Sequence, residues 1–177
     1  MKILFIQPPW LEDTMRSFGK VGKRHANYHP LGILFIAAVC EEAGHDVRAI
    51  DAEAQGKDMA AILADVRSFQ PDVVGITATT AVFHLAEAVA EEIKGISNAR
   101  IVIGGSHISP MGITGFTPCF DFAVLGEGEA AFLSLLQEIE NGQDFGRIPG
   151  ILYWQDGEAR QTSRGRTDFI QDLDTMP

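Results

Sequence analysis

Cysteine is scarce: the 177 residues hold two, Cys40 and Cys119, too few for a disulfide framework or a four-thiolate metal site. Long apolar runs are missing as well. No stretch approaches the ~18 consecutive apolar residues of a membrane-spanning helix. The opening run Lys2–Ile6 stops at Pro8-Pro9, too early for a signal peptide. Positive charge is short: 14 Lys and Arg face 24 Asp and Glu, a net charge of −10. Such a chain is a poor partner for nucleic acid, which binds surfaces whose cations displace counterions. Paired carboxylates, a Ser/His/Asp order and a nucleophile elbow are all absent, so no catalytic residue and no metal ligand is assigned. What remains, 46% apolar and 21% charged residues, is an ordinary globular balance. The expectation is one cytoplasmic domain with a sizeable core.

Five short runs are apolar on both alternate positions: Lys2–Ile6, Val47–Ile50, Val73–Ile76, Ile101–Ile103 and Phe122–Leu125. Continuous runs of this kind suit strands covered on both faces. Helical patterns lie between them. Leu31–Glu42 ends before Gly44, and Met59–Phe69 stops short of Pro71. Phe83–Lys94 closes at Gly95, and Ala130–Ile139 ends at Asn141-Gly142. Alternation of strand and helix predicts an α/β fold: a doubly wound, open, parallel five-stranded sheet, Rossmann-like with flavodoxin-type strand order. After Pro149 the turn Asp156-Gly157 between two β-rich segments predicts a C-terminal β-hairpin. The expected division is a Rossmann-like domain over 1–148, a hairpin extension over 149–162, and a linker over 163–177 leading towards a further domain.

Open α/β sheets bind ligands beyond the carboxyl ends of their strands. Those positions here hold Pro8-Pro9, Asp51, Thr77 to Thr80, Gly104-Gly105-Ser106-His107 and Gly126-Glu127-Gly128-Glu129. Glycines there allow a flat ligand to approach the backbone, and equally serve tight turns. Thr77, Thr79 and Thr80 offer hydroxyls to a ligand, and equally serve as helix N-caps. Gly126-Glu127-Gly128-Glu129-Ala130-Ala131 loosely matches a dinucleotide fingerprint, but its two carboxylates would repel a pyrophosphate and suit a neutral or cationic group. The segment Thr14–Pro30 carries Arg16, Lys20, Lys23, Arg24, His25 and His29 without one acidic residue. It is either a solvated basic loop or a seat for an anionic group.

Six stretches together carry a family resemblance: Ile6-Gln7-Pro8-Pro9, Pro30-Leu31-Gly32-Ile33-Leu34, Glu42 to Val47, Asp72 to Thr77, Ile103 to His107, and Gly126-Glu127-Gly128-Glu129. The chain resembles the N-terminal cobalamin-binding domain of cobalamin-dependent radical S-adenosylmethionine enzymes. That group includes methyltransferases and the anaerobic magnesium-protoporphyrin monomethyl ester cyclase. The resemblance implies that cobalamin lies flat on the carboxyl edge of the sheet. It would contact Pro8, Pro9, Thr77, Thr79, Thr80, Gly104, Gly105, His107, Gly126, Glu127 and Gly128. The nucleotide tail would lie near Thr77–Thr80 and Gly104-Gly105. It also implies that S-adenosylmethionine, a 4Fe–4S cluster and a small-molecule substrate belong to a radical domain in cis, because this sequence lacks the Cys-x-x-x-Cys-x-x-Cys spacing. Cobalamin proteins with a cobalt-ligating histidine carry Asp-x-His-x-x-Gly after the first strand. Gln7-Pro8-Pro9-Trp10-Leu11-Glu12 stands there instead, so binding without that histidine is expected. Other readings are a degenerate scaffold or substrate-recognition domain, and a flavin- or nucleotide-binding flavodoxin-like domain. On the first reading Gly105 leaves ligand space, so Gly105→Val is expected to block binding.

Overall fold

The computed structural model describes residues 1–9, 30–142 and 144–163. The basic segment 14–29, the positions Trp10–Glu12 and the expected linker from Arg164 onward lie outside these described residues.

Strand β1 (Lys2–Gln7) is apolar on both faces because both are covered: Ile3, Leu4, Phe5 and Ile6 are all buried. It is followed by α1 (Leu31–Glu42), β2 (Asp46–Asp51), α2 (Met59–Phe69), β3 (Val73–Thr77), α3 (Phe83–Lys94), β4 (Arg100–Gly104), the short α4 (Ile108–Met111), β5 (Phe122–Val124) and α5 (Glu129–Gln137). The chain ends its described part with β6 (Ile151–Gln155) and β7 (Glu158–Gln161). The sheet order is β2-β1-β3-β4-β5-β6-β7. Its first five strands are parallel, in the flavodoxin-type order that the sequence predicts. The predicted hairpin adds two antiparallel strands to the same sheet, with Ala123 opposite Leu152 and Trp154 opposite Ala159. Asp156 (φ 52°) and Gly157 (φ 79°) form its tight turn, where both central residues need the left-handed region.

Period-2 alternation sorts the strand residues into two cores. Leu4, Ile6, Val74, Ile76, Ile101 and Ile103 face α2 and α3. Ile3, Phe5, Val73, Val102 and Val124 face α1 and α5. Helix boundaries follow local chemistry: Asp58 caps α2 by accepting a hydrogen bond from the Ala61 amide at 2.9 Å, and Gln70, just before Pro71, ends it at φ 52°. Cys40, at 0% exposure, packs within the α1–α5 core, and Cys119 is half-buried; both are free thiols. Among the described residues no helix is long and apolar enough to cross a membrane.

The sequence reading missed α4 and the 3₁₀ turn Gly112–Gly115 that follows it, a segment too short for a periodic pattern. It also set α5 one residue late, starting at Ala130 instead of Glu129. That helix then widens into a π-helical turn over Glu138–Gly142.

Candidate functional site

The direction of the crossover connections reverses between β1 and β3, and the ends of these strands open a crevice. A cleft of about 340 Å³ lies there, on the α1–α5 side of the sheet. Its floor follows from strand parity. Phe5 and Gln7 of β1, Gly75 and Thr77 of β3, and Val102 and Gly104 of β4 are alternate residues, so each pair shares that face. Thr77 and Gly104 are register partners, which sets a hydroxyl beside a residue without a side chain. The walls are the start of α1, including Pro30, Leu31, Ile33 and Ile36, and the β5–α5 turn Gly126-Glu127-Gly128-Glu129.

The glycines here have distinct causes. At Gly104 a Cβ would meet only the Val124 carbonyl, at 4.0 Å, so the fold has no need of a glycine there. Gly105 is different. It sits at φ 101°, and a Cβ would lie 2.7 Å from Thr77 Oγ1 and 2.8 Å from the Ala78 carbonyl oxygen. Its glycine is therefore demanded by the packing of the turn after β4 against the turn after β3, and the expectation that Gly105→Val reports on ligand space is corrected: that variant damages the turn first. Gly128 admits the Ile36 side chain of α1, whose Cδ1 lies 2.6 Å from where a Cβ would stand. Gly126 adopts φ 79° with open space around it.

Ser109 joins the two glycine turns. Its hydroxyl donates to the Gly105 carbonyl at 3.1 Å and accepts from the Gly126 amide at 2.9 Å. Sequence reasoning missed this residue, because only the fold brings α4 beneath both turns.

Of the eleven predicted contact residues, Thr77, Gly104, Gly105, Gly126, Glu127 and Gly128 line the cleft. Pro8 and Pro9 follow the cleft residue Gln7 but are not in the wall. Thr80 and His107 are tied to each other: Thr80 Oγ1 lies 3.1 Å from His107 Nδ1, and the imidazole packs on the Phe83 ring at 4.0 Å. Both stand on the α3 side, away from the cleft wall. Thr79 is also outside the wall, with a buried hydroxyl that has no hydrogen-bond partner. The capping role considered for the threonines is not seen: Thr79 precedes the turn Thr80–Val82 without a side-chain bond, and α3 starts after Val82, also uncapped. Phe5, Gly75, the start of α1 and Glu129 were missed as wall residues. Strand parity counted back from Gln7 and Thr77 identifies the first two.

Among the described residues, the wall contains no Lys, Arg or His; its formal charges are Glu127 and Glu129. Glu129 Oε2 is buried with no hydrogen-bond partner. A phosphate is poorly served by such a wall, whereas a flat, neutral group with N–H or O–H donors fits it. Also among the described residues, no three His, Cys, Asp or Glu side chains lie together as a metal site.

The model of the B12 binding domain family matches residues 20–136. The chain belongs to the B12-binding domain family. An uncharacterised methyltransferase of Pyrococcus horikoshii is 34% identical to this B12-binding domain over 180 residues, covering 100% of the chain and 37% of its own length. The anaerobic magnesium-protoporphyrin IX monomethyl ester cyclase of Synechocystis is 30% identical over 183 residues, covering 98% of the chain and 34% of its own length. The chain thus spans about a third of these curated relatives. Solved structures share its fold, two of them radical S-adenosylmethionine enzymes. The radical S-adenosylmethionine methyltransferase TsrM of Kitasatospora setae, with cobalamin and a 4Fe–4S cluster bound, superposes with a TM-score of 0.76 at 19% identity, over 92% of this chain and 29% of that one. The cobalamin-dependent radical enzyme OxsB, with aqua-cobalamin and S-adenosylmethionine bound, gives 0.72 at 17% identity, over 93% and 22%. The resemblance read from the sequence and the family match agree.

Proposed function

We propose that this B12-binding domain holds cobalamin at the carboxyl edge of its sheet and serves as the cobalamin module of a longer radical S-adenosylmethionine enzyme. The observation that carries the binding reading is the cleft beside Gly104, where the backbone is bare although neither φ nor packing requires a glycine. A cleft of about 340 Å³ would take one arm of the cofactor, with the corrin across the strand ends. The base of the nucleotide tail, flat and neutral, suits a floor of Phe5, Gly75, Val102 and Gly104. Thr77 offers a hydroxyl to that arm, and the walls from α1 and α5 exclude water from it. The Gly105 and Gly126 turns, held together by Ser109, fix the height of the ledge on which the ring rests.

Cobalamin, when bound, supplies a cobalt centre able to carry a methyl group. Methyl transfer and cyclisation are the reaction types in the names of the relatives, and either would take place in a further domain on a small-molecule substrate. S-adenosylmethionine and the iron–sulfur cluster belong to that domain in this reading. Gln7-Pro8-Pro9 at the end of β1 holds no imidazole, so we assign no cobalt ligand from this strand end. The test is an absorbance titration of the purified protein with hydroxocobalamin followed by desalting. Retention near one equivalent supports the reading. Loss of the corrin spectrum on desalting overturns it.

A further inference from the structure

Two buried side-chain oxygens among the described residues have no hydrogen-bond partner: Thr79 Oγ1 and Glu129 Oε2. Thr79 stands outside the cleft, whereas Glu129 is part of its wall, in the first turn of α5 beside Gly128. A buried polar atom without a partner costs the folded protein free energy, most of all when it belongs to a carboxylate. Native proteins keep few of them, and one kept in a ligand cleft is explained when the ligand brings the missing donor. Glu129 as a whole is partly exposed, and the helix macrodipole accounts for an acidic residue in the first turn. It does not account for an oxygen turned out of solvent.

We infer that Glu129 is a ligand-binding residue: its carboxylate accepts a hydrogen bond from a neutral N–H or O–H donor of the bound corrinoid. This inference rests on the cobalamin reading of the same cleft. Its chemistry is distinct from that of the apolar wall residues, which act by shape and contact. A carboxylate acceptor makes a charge-assisted bond, roughly twice as strong as a neutral one. It also rejects an anionic group at the same place, since two negative charges inside a half-enclosed cleft repel across a low dielectric. Glu129 therefore selects for the neutral amides or ribose hydroxyls of the cofactor and against carboxylate-bearing corrinoids.

Three proteins test this: wild type, Glu129→Ala and Glu129→Gln. Each is titrated by absorbance with hydroxocobalamin, with cobinamide, which keeps the corrin amides but lacks the nucleotide, and with a cobalamin monocarboxylic acid. Glu129→Ala is expected to weaken hydroxocobalamin binding about tenfold or more. Glu129→Gln keeps an acceptor oxygen, so it recovers most of that loss while discriminating less against the monocarboxylic acid. A loss with cobinamide equal to that with hydroxocobalamin places the donor on a corrin amide; a loss confined to hydroxocobalamin places it on the nucleotide. Both outcomes support the inference. Unliganded Glu129→Ala is expected to melt within a few degrees of wild type, because the lost side chain had an unmet bond in the free protein. Hydroxocobalamin affinity unchanged in Glu129→Ala would overturn the inference and leave the cobalamin reading standing. A wild-type protein that retains no corrinoid would instead remove the reading on which the inference rests.

Discussion

Gly104→Val separates ligand space from fold stability. The φ at Gly104 lies outside the left-handed region, and the nearest atom to an added Cβ is the Val124 carbonyl oxygen at 4.0 Å. The fold therefore accepts the side chain, and replacing glycine in a strand contributes about 0.5–1 kcal/mol through lower unfolded-state entropy. For a domain of this size that corresponds to a Tm unchanged or raised by about 2–4 °C. The added atoms go into the cleft. Three carbons, each about the ~30 Å³ that a water occupies, take up ~90 Å³. That is about a quarter of the 340 Å³ available. A flat arm filling the cleft then meets the valine, and hydroxocobalamin affinity is expected to fall at least tenfold, about 1.4 kcal/mol. The assay is the absorbance titration, run beside a thermal melt of the unliganded protein. Wild-type affinity in a variant that folds normally would refute the placement of the ligand. Gly105→Val is the contrasting control: with φ 101° and contacts of 2.7 and 2.8 Å, it is expected to lower Tm by several degrees before any ligand is added.

Other consequences can be measured directly. Ser109→Ala removes bonds to the Gly105 carbonyl and the Gly126 amide, at a cost of about 1–2 kcal/mol. Hydrogen exchange at the Gly126 amide should quicken, and an unchanged rate would count against the Ser109 bridge. Gly126→Ala meets no neighbour but must hold φ 79°, so a loss of about 1–2 kcal/mol is expected in chemical denaturation. Burial pushes the Cys40 thiol up to about 12, above the ordinary thiol value of 9.0, so the folded state holds the proton that the unfolded chain releases. This contribution to stability is complete below pH 9 and is lost as pH rises towards 12, at about 1.4 kcal/mol per pH unit. Wild type measured against Cys40→Ala at pH 8.5 and 10.5 should show this slope in wild type only; equal slopes would contradict the burial argument.

The sheet was legible because its inner strands are buried on both faces, so Lys2–Ile6 and Val73–Ile76 read as apolar runs bounded by Pro8 and Thr77, whereas the edge strand β2, expected to be covered on both faces, is mostly exposed. The carboxyl edge was legible for the same reason, since it lies wherever such a run stops. Which edge residues share a face was not read, although parity from Gly104 back to Val102 contains it. Thr80 and His107 pair with each other across sequence-distant turns, so no local pattern separates them from Thr77 and Gly104. The role of Gly105 is likewise a tertiary matter: its glycine answers the Ala78 carbonyl, 27 positions earlier in the chain. Glu127 was favoured over Glu129 by motif, whereas burial singles out Glu129.

Amide hydrogen exchange of the protein with and without hydroxocobalamin tests most directly the claim that this cleft is the cobalamin site. The account predicts protection confined to the carboxyl edge: the start of α1, the turn after Thr77, Gly104 to Ser109, and Gly126 to Phe132. Protection at the opposite edge, around Gln70–Asp72 and Ser97–Ala99, or none at saturating ligand, would contradict it.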